Sequence, residues 1–185
     1  MDFERVLRDL AFDFAEREVR YALIGGFALG ALGVPRATMD LDFLVARDAL
    51  PVVDEIMALR QYRLRYRSEN VSQFESDHAP MGNVDFLHAF REISTAMLER
   101  APEVSVFDGS LRLRTLRPED IVGLKVQALA NDPGRERRDL ADIDRLAEHF
   151  AAEMDWERIR EYFALFDKLE LYDEIRDAHG PLDPC

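Results

Sequence analysis

Residues 21–45 read YALIGGFALGALGVPRATMDLDFLV, and the fold is decided within them. Tyr21-Ala22-Leu23-Ile24 is a short apolar run ending on Gly25-Gly26, which predicts a buried strand stopped by a tight turn. Residues 27–33 (FALGALG) read as a helix of small residues. Val34-Pro35 breaks it, because proline has no backbone N–H to continue the ladder. Residues 39–45 then alternate. The expectation is a strand with Met39, Leu41, Phe43 and Val45 on one face and Asp40, Asp42 and Leu44 on the other.

Outward from this stretch the pattern stays mixed. Phe3, Val6, Leu7, Leu10 and Phe14 recur at helical spacing over residues 2–18, and Leu50, Val53, Ile56 and Met57 do so over 48–60. Residues 61–67 (QYRLRYR) alternate, and 71–76 are placed as their antiparallel partner. Asn83 to His88 is another short strand, with Val84 and Phe86 opposite Asp85 and Leu87. Residues 91–100 read as a helix. Asp108-Gly109 between two β-prone runs (104–107 and 111–114) signals a hairpin. From Pro118 onward the spacing is helical throughout, with Asp132-Pro133-Gly134 separating two helices. The fold class is therefore α+β (α/β): a mixed sheet of four to six strands flanked by helices, then a C-terminal helical region. Residues 1–115 form the expected core, and 116–185 a helical region packed on it.

The 48% of hydrophobic residues supplies a core and argues against disorder. With 24 Lys plus Arg against 37 Asp plus Glu, the net charge is −13. So acidic a chain does not draw phosphate backbones by its overall field. A local basic patch or a bound cation must do so. The single cysteine, Cys185, allows no internal disulfide. The first residues lack the basic start and apolar run of a signal peptide, and no apolar stretch approaches a membrane span. The expectation is a cytoplasmic protein with no membrane partner.

Three features carry chemistry. Gly25-Gly26 between strand and helix lets a ligand approach the backbone, and a helix N-terminus suits phosphate, although a double glycine alone marks many ordinary turns. Asp40 and Asp42, two apart on a strand, place two carboxylates on one side about 7 Å apart along the backbone. Aspartate is disfavoured in strands and the pair repels, a cost relieved when a hard cation such as magnesium or manganese neutralises both. The alternative is the solvated side of an edge strand, which Leu44 on the same face makes less comfortable. Asp85, a lone carboxylate in NVDFL, joins them if its strand neighbours 39–45.

The stretch GGFALGALGVPRATMDLDFLV, followed by VDFL, resembles the nucleotidyltransferase superfamily that includes DNA polymerase beta and the aminoglycoside nucleotidyltransferases. Gly25, Gly26, Asp40, Asp42 and Asp85 fill each position of its signature. RPEDIVGLKVQAL and RERRDLADIDRL further resemble the stand-alone bacterial group of AbiEii-like toxin enzymes, with Lys125, Arg138-Asp139 and Asp142 at matching positions. The resemblance implies magnesium- or manganese-dependent transfer of a nucleoside monophosphate from a nucleoside triphosphate, ATP among them, to an acceptor hydroxyl. Asp40, Asp42 and Asp85 would be catalytic residues and metal ligands. Gly25, Gly26, Arg36, Thr38 and Lys125 would bind the nucleotide. The acceptor is a small molecule, a protein or an RNA. The open cleft leaves room for a second copy or a cognate antitoxin, and the alternative function is a catalytically silent nucleotide-binding or toxin–antitoxin module.

Around this centre, Lys125 lies among Ile121, Val122, Leu124, Val126 and Leu129, which predicts a cleft-lining side chain or one reaching the cleft edge. Arg63, Arg65 and Arg67 are expected on one strand face, with Tyr62, Leu64 and Tyr66 on the other. They read as a charged, protected edge or as an acceptor-binding patch. The four histidines have no metal-ligand spacing and read as structural.

Overall fold

The computed structural model describes residues 1–78 and 80–181. Cys185 lies outside them. The chain divides into two units, one from Met1 to Leu116 and one from Arg117 onward.

The first unit contains α1 (Phe3–Glu16), β1 (Tyr21–Ile24), α2 (Gly25–Ala31), β2 (Leu41–Ala46), α3 (Leu50–Leu59), β3 (Arg63–Arg67), β4 (Val71–Glu75), β5 (Asn83–Ala89), α4 (Glu92–Arg100), β6 (Glu103–Val106) and β7 (Leu111–Arg114). Five strands form one sheet in the order β1-β2-β5-β4-β3, and β6-β7 is the hairpin expected around Asp108-Gly109. Among the described strands of the large sheet only β2 and β5 run parallel; the other three pairings are antiparallel.

One face of that sheet is the core. Phe43 and Phe86 stack with centroids 5.6 Å apart, and Phe74 meets Phe86 edge-on at 5.7 Å. Phe14 of α1 reaches the same cluster, 5.6 Å from Phe43. These rings are offset or edge-on, as their quadrupoles favour. On the same face Arg67 Nε donates to Ser72 Oγ at 2.8 Å. The Ser72 hydroxyl is then left to donate to His88 Nε2 at 2.8 Å, and His88 Nδ1–H to donate to the Glu69 carbonyl at 2.9 Å. This chain requires a neutral imidazole, and burial pushes the His88 pKa down in agreement. His88 is structural, as expected.

The local details correct three expectations. β2 begins at Leu41, not Met39, and Met39 is 80% exposed. Asp40 sits in a bend just before the strand, shaped by a 3.1 Å bond from Thr38 Oγ1 to the Asp40 carbonyl. Strand alternation therefore does not join Asp40 to Asp42. Gly25 and Gly26 are not a turn before a helix; they are its first two residues. Finally, a bulge between Leu64 and Tyr66 breaks the alternation of β3, so the three arginines do not share one face. Arg67 opposes the buried Ser72, whereas Arg63 opposes the half-buried Glu75.

Among its described residues the second unit has four α-helices: α5 (Pro118–Asn131), α6 (Glu136–Phe150), α7 (Trp156–Leu165) and α8 (Leu169–His179). Ile121, Val126, Ile143, Leu146, Ile159 and Phe163 are buried. α5 and α7 approach closely at Gly123, where a Cβ would lie 2.7 Å from the Tyr162 ring. The Tyr162 hydroxyl donates to the fully buried Asp120 at 2.6 Å. No helix among the described residues is long and apolar enough to cross a membrane.

Candidate active site

The sheet face opposite the phenylalanine core carries the acids. β2 and β5 pair in register with Asp42 against Asp85, so two carboxylates stand side by side on strands about 4.8 Å apart. Across β4 the row continues: Gln73 opposes Asp85, and its Nε2 donates to Asp85 Oδ2 at 2.7 Å. Asp85 is half-buried. Burial pushes its carboxyl above the usual range, the Gln73 bond draws it back, and the charge of Asp40 raises it again. Asp40 thus acts on Asp85 from the bend without belonging to either strand.

Gly25 explains how Asp42 fits. Its φ is +67°, and a Cβ there would overlap the Asp42 carboxylate, with Cγ only 2.6 Å away. The residue must be glycine both for its backbone and for the volume that Asp42 occupies. At Gly26 a Cβ would meet Arg36 Nη1 and Thr38 Cβ, each at 2.7 Å. The two glycines make room for the side chains around them. α2 has seven residues, too few for a strong macrodipole to be the main attraction for an anion.

The structure therefore brings Gly25 to Asp42, Gly26 to Arg36 and Thr38, and Asp42 to Asp85, with Asp40 alongside. Lys125 is in the second unit. Its ammonium lies 2.7 Å from Asp139 Oδ1 and 2.7 Å from Asp142 Oδ2, both carboxylates being buried. Instead of reaching out to an edge, it ties α5 to α6. Gln73 was missed from the sequence, because a glutamine in an alternating strand signals nothing until the register is known.

A divalent cation fits the chemistry of this donor set. The ligands available are carboxylate oxygens with no His or Cys among them, and burial together with the charge of Asp40 already disfavours ionisation of Asp85. Among the described residues no three His, Cys, Asp or Glu side chains form a ready-made cage. That is compatible with magnesium, which keeps waters and substrate phosphates as ligands rather than an all-protein shell.

A sequence profile for the family described as "uncharacterised nucleotidyltransferase" matches residues 3–167. No curated protein matches the chain. Among solved structures, the antibiotic-resistance factor ANT(2'')-Ia is similar at 16% identity, with 97% of this chain and 100% of that one covered and a TM-score of 0.65. An antigenic nucleotidyltransferase-like protein from Paracoccidioides brasiliensis is similar at 17% identity, with coverages of 98% and 94% and a TM-score of 0.58. The lincosamide antibiotic adenylyltransferase LnuA, lincomycin-bound, follows at 15% identity, with coverages of 77% and 95% and a TM-score of 0.53. At these identities the likeness concerns the fold.

Proposed function

Because the chain belongs to the family of uncharacterised nucleotidyltransferases, we propose that it moves a nucleoside monophosphate from a nucleoside triphosphate to an acceptor hydroxyl. The observation that carries this reading is the in-register pair Asp42–Asp85, with Gly25 closed against Asp42. The acceptor oxygen forms a bond to the α-phosphorus while the bond from that phosphorus to the α–β bridging oxygen breaks. Pyrophosphate leaves with the electron pair. The hydroxyl proton passes to the Asp85 carboxylate, which stands beside Asp42 on the neighbouring strand. Gln73 fixes one Asp85 oxygen and leaves the other to face the reacting atoms. Arg36 and Thr38, folded against Gly26, contact the triphosphate. Magnesium or manganese, held by Asp40, Asp42 and Asp85, would neutralise phosphate charge and polarise the α-phosphoryl group.

An antibiotic-resistance factor and a lincosamide adenylyltransferase share the fold, so antibiotic-like small molecules form one arm of the acceptor search, beside proteins and RNA. The test is transfer of label from an α-labelled triphosphate with magnesium. Asp42→Asn should abolish transfer with little change in stability; full activity in that variant would sink the assignment.

A further inference from the structure

We infer that Tyr66 and Arg65, on the bulged edge strand, form the acceptor subsite, and that the acceptor is a ring-bearing molecule with an anionic substituent. The inference rests on the nucleotidyl-transfer reading above.

The register places the ring. Tyr66 opposes Gln73, Gln73 opposes Asp85, and Asp85 opposes Asp42, so all four lie in one row across the carboxylate face. In a regular strand Tyr66 would take the opposite face from Arg65. The extra residue at the bulge gives both to the same face, and bulges beside active sites commonly re-aim a side chain in this way. Tyr66 stands two strand spacings from Asp85, about 10 Å, a distance that one ring-sized molecule covers while offering a hydroxyl to the base. The tyrosine is 52% exposed, and among the described residues its ring makes no aromatic contact and its hydroxyl no hydrogen bond. A half-exposed aromatic ring on the acidic row is a stacking platform.

Charge selects the substituent. Arg63 is bracketed by Glu75 at 3.0 Å and Asp77 at 2.9 Å. Arg65 reaches Glu75 only at 3.8 Å, and its side chain is 64% exposed. Glu75 thus serves two arginines, and Arg65 is the undercompensated one. A phosphate or carboxylate on the acceptor completes the guanidinium's coordination.

The test uses protein carrying ¹³C in its five tyrosine rings, with the Tyr66 signal identified by its loss in Tyr66→Phe. The nucleotide site is first filled with magnesium and a non-hydrolysable ATP analogue. AMP, adenosine and tobramycin are then titrated as anionic, neutral and cationic ring probes. AMP should move the Tyr66 signal with about tenfold better affinity than adenosine. Arg65→Ala should bring AMP to the level of adenosine, and Arg65→Lys should restore part of the difference. Unchanged signals from the other four rings verify folding of both variants. A Tyr66 signal unmoved by AMP, or moved as well by tobramycin, overturns the inference. Transfer of label is measured separately: its absence with every acceptor would defeat the nucleotidyl-transfer reading, whatever the ring signals report.

Discussion

Replacing Gly25 by alanine should damage the site through a calculable strain. The backbone there is left-handed at φ +67°, which costs an L-residue about 1–2 kcal/mol. The new methyl would lie 2.6 Å from Asp42 Cγ and 2.8 Å from its Cβ, well inside contact distance. Asp42 must leave its rotamer, at about 0.5–1.5 kcal/mol. Together the loss is about 1.5–3.5 kcal/mol, or roughly 5–10 °C in Tm at about 3 °C per kcal/mol. Gly30→Ala is the matched control: it lies in the same helix, φ is ordinary, and a Cβ meets nothing within 4 Å. That variant should be neutral or gain about 0.5–1 kcal/mol. Thermal melts give the stability difference, and label transfer measured well below both midpoints separates the site from the fold. Gly25→Ala should then be inactive while Gly30→Ala is fully active. Equal melting and equal activity in the two variants would refute the packing argument.

Other consequences are as direct. Gln73→Leu removes a bond to a charged carboxylate worth about 1.5–3 kcal/mol, so kcat should fall about 10–100-fold with little change in the KM for triphosphate; an unchanged kcat would remove Gln73 from the site. Lys125→Met leaves the buried Asp139 and Asp142 to Arg135 at 3.1 Å and Arg145 at 3.9 Å, both partly exposed, and should cost about 1–3 kcal/mol in urea unfolding. His88 has a folded pKa below its ordinary 6.5, held down chiefly by burial, which outweighs the bond to the Glu69 carbonyl; Arg67 and Arg47 lower it further and Asp54 opposes them. A depressed pKa means that the unfolded chain binds the proton first. The contribution of His88 is therefore complete above pH 6.5 and is lost as pH falls from there through the folded value. Urea midpoints should drop more steeply below pH 6.5 in the wild type than in His88→Gln, and parallel curves would contradict the neutral-imidazole chain.

Residues 21–45 made the strand-helix-strand order legible because glycine, proline and alternating hydrophobicity act locally. The alternation overran its strand by two residues. Nothing in Met39-Asp40 reveals the bend that the Thr38 hydroxyl makes with the Asp40 carbonyl. The bulge at Arg65 was equally hidden, since RLRYR contains no glycine or proline to mark it. The meeting of Asp42 with Asp85 followed only if their strands were neighbours, and neighbourhood is a property of register that no single strand encodes. Lys125 was read from the apolar residues beside it in sequence. Its destination was set by Asp139 and Asp142, a helix away.

The pairing of β2 with β5 carries an entropic cost. Within the large sheet, β4 is a tight hairpin partner of β3 and a near neighbour of β5 in sequence, whereas Asp42 and Asp85 are 85 − 42 = 43 residues apart. Closing that loop costs more chain entropy than closing the β3–β4 hairpin, although the cost grows only slowly with length. Without that pairing the local hairpins alone do not bring Asp42 beside Asp85. The acidic face of this sheet therefore depends on a long-range pairing, not on either strand alone.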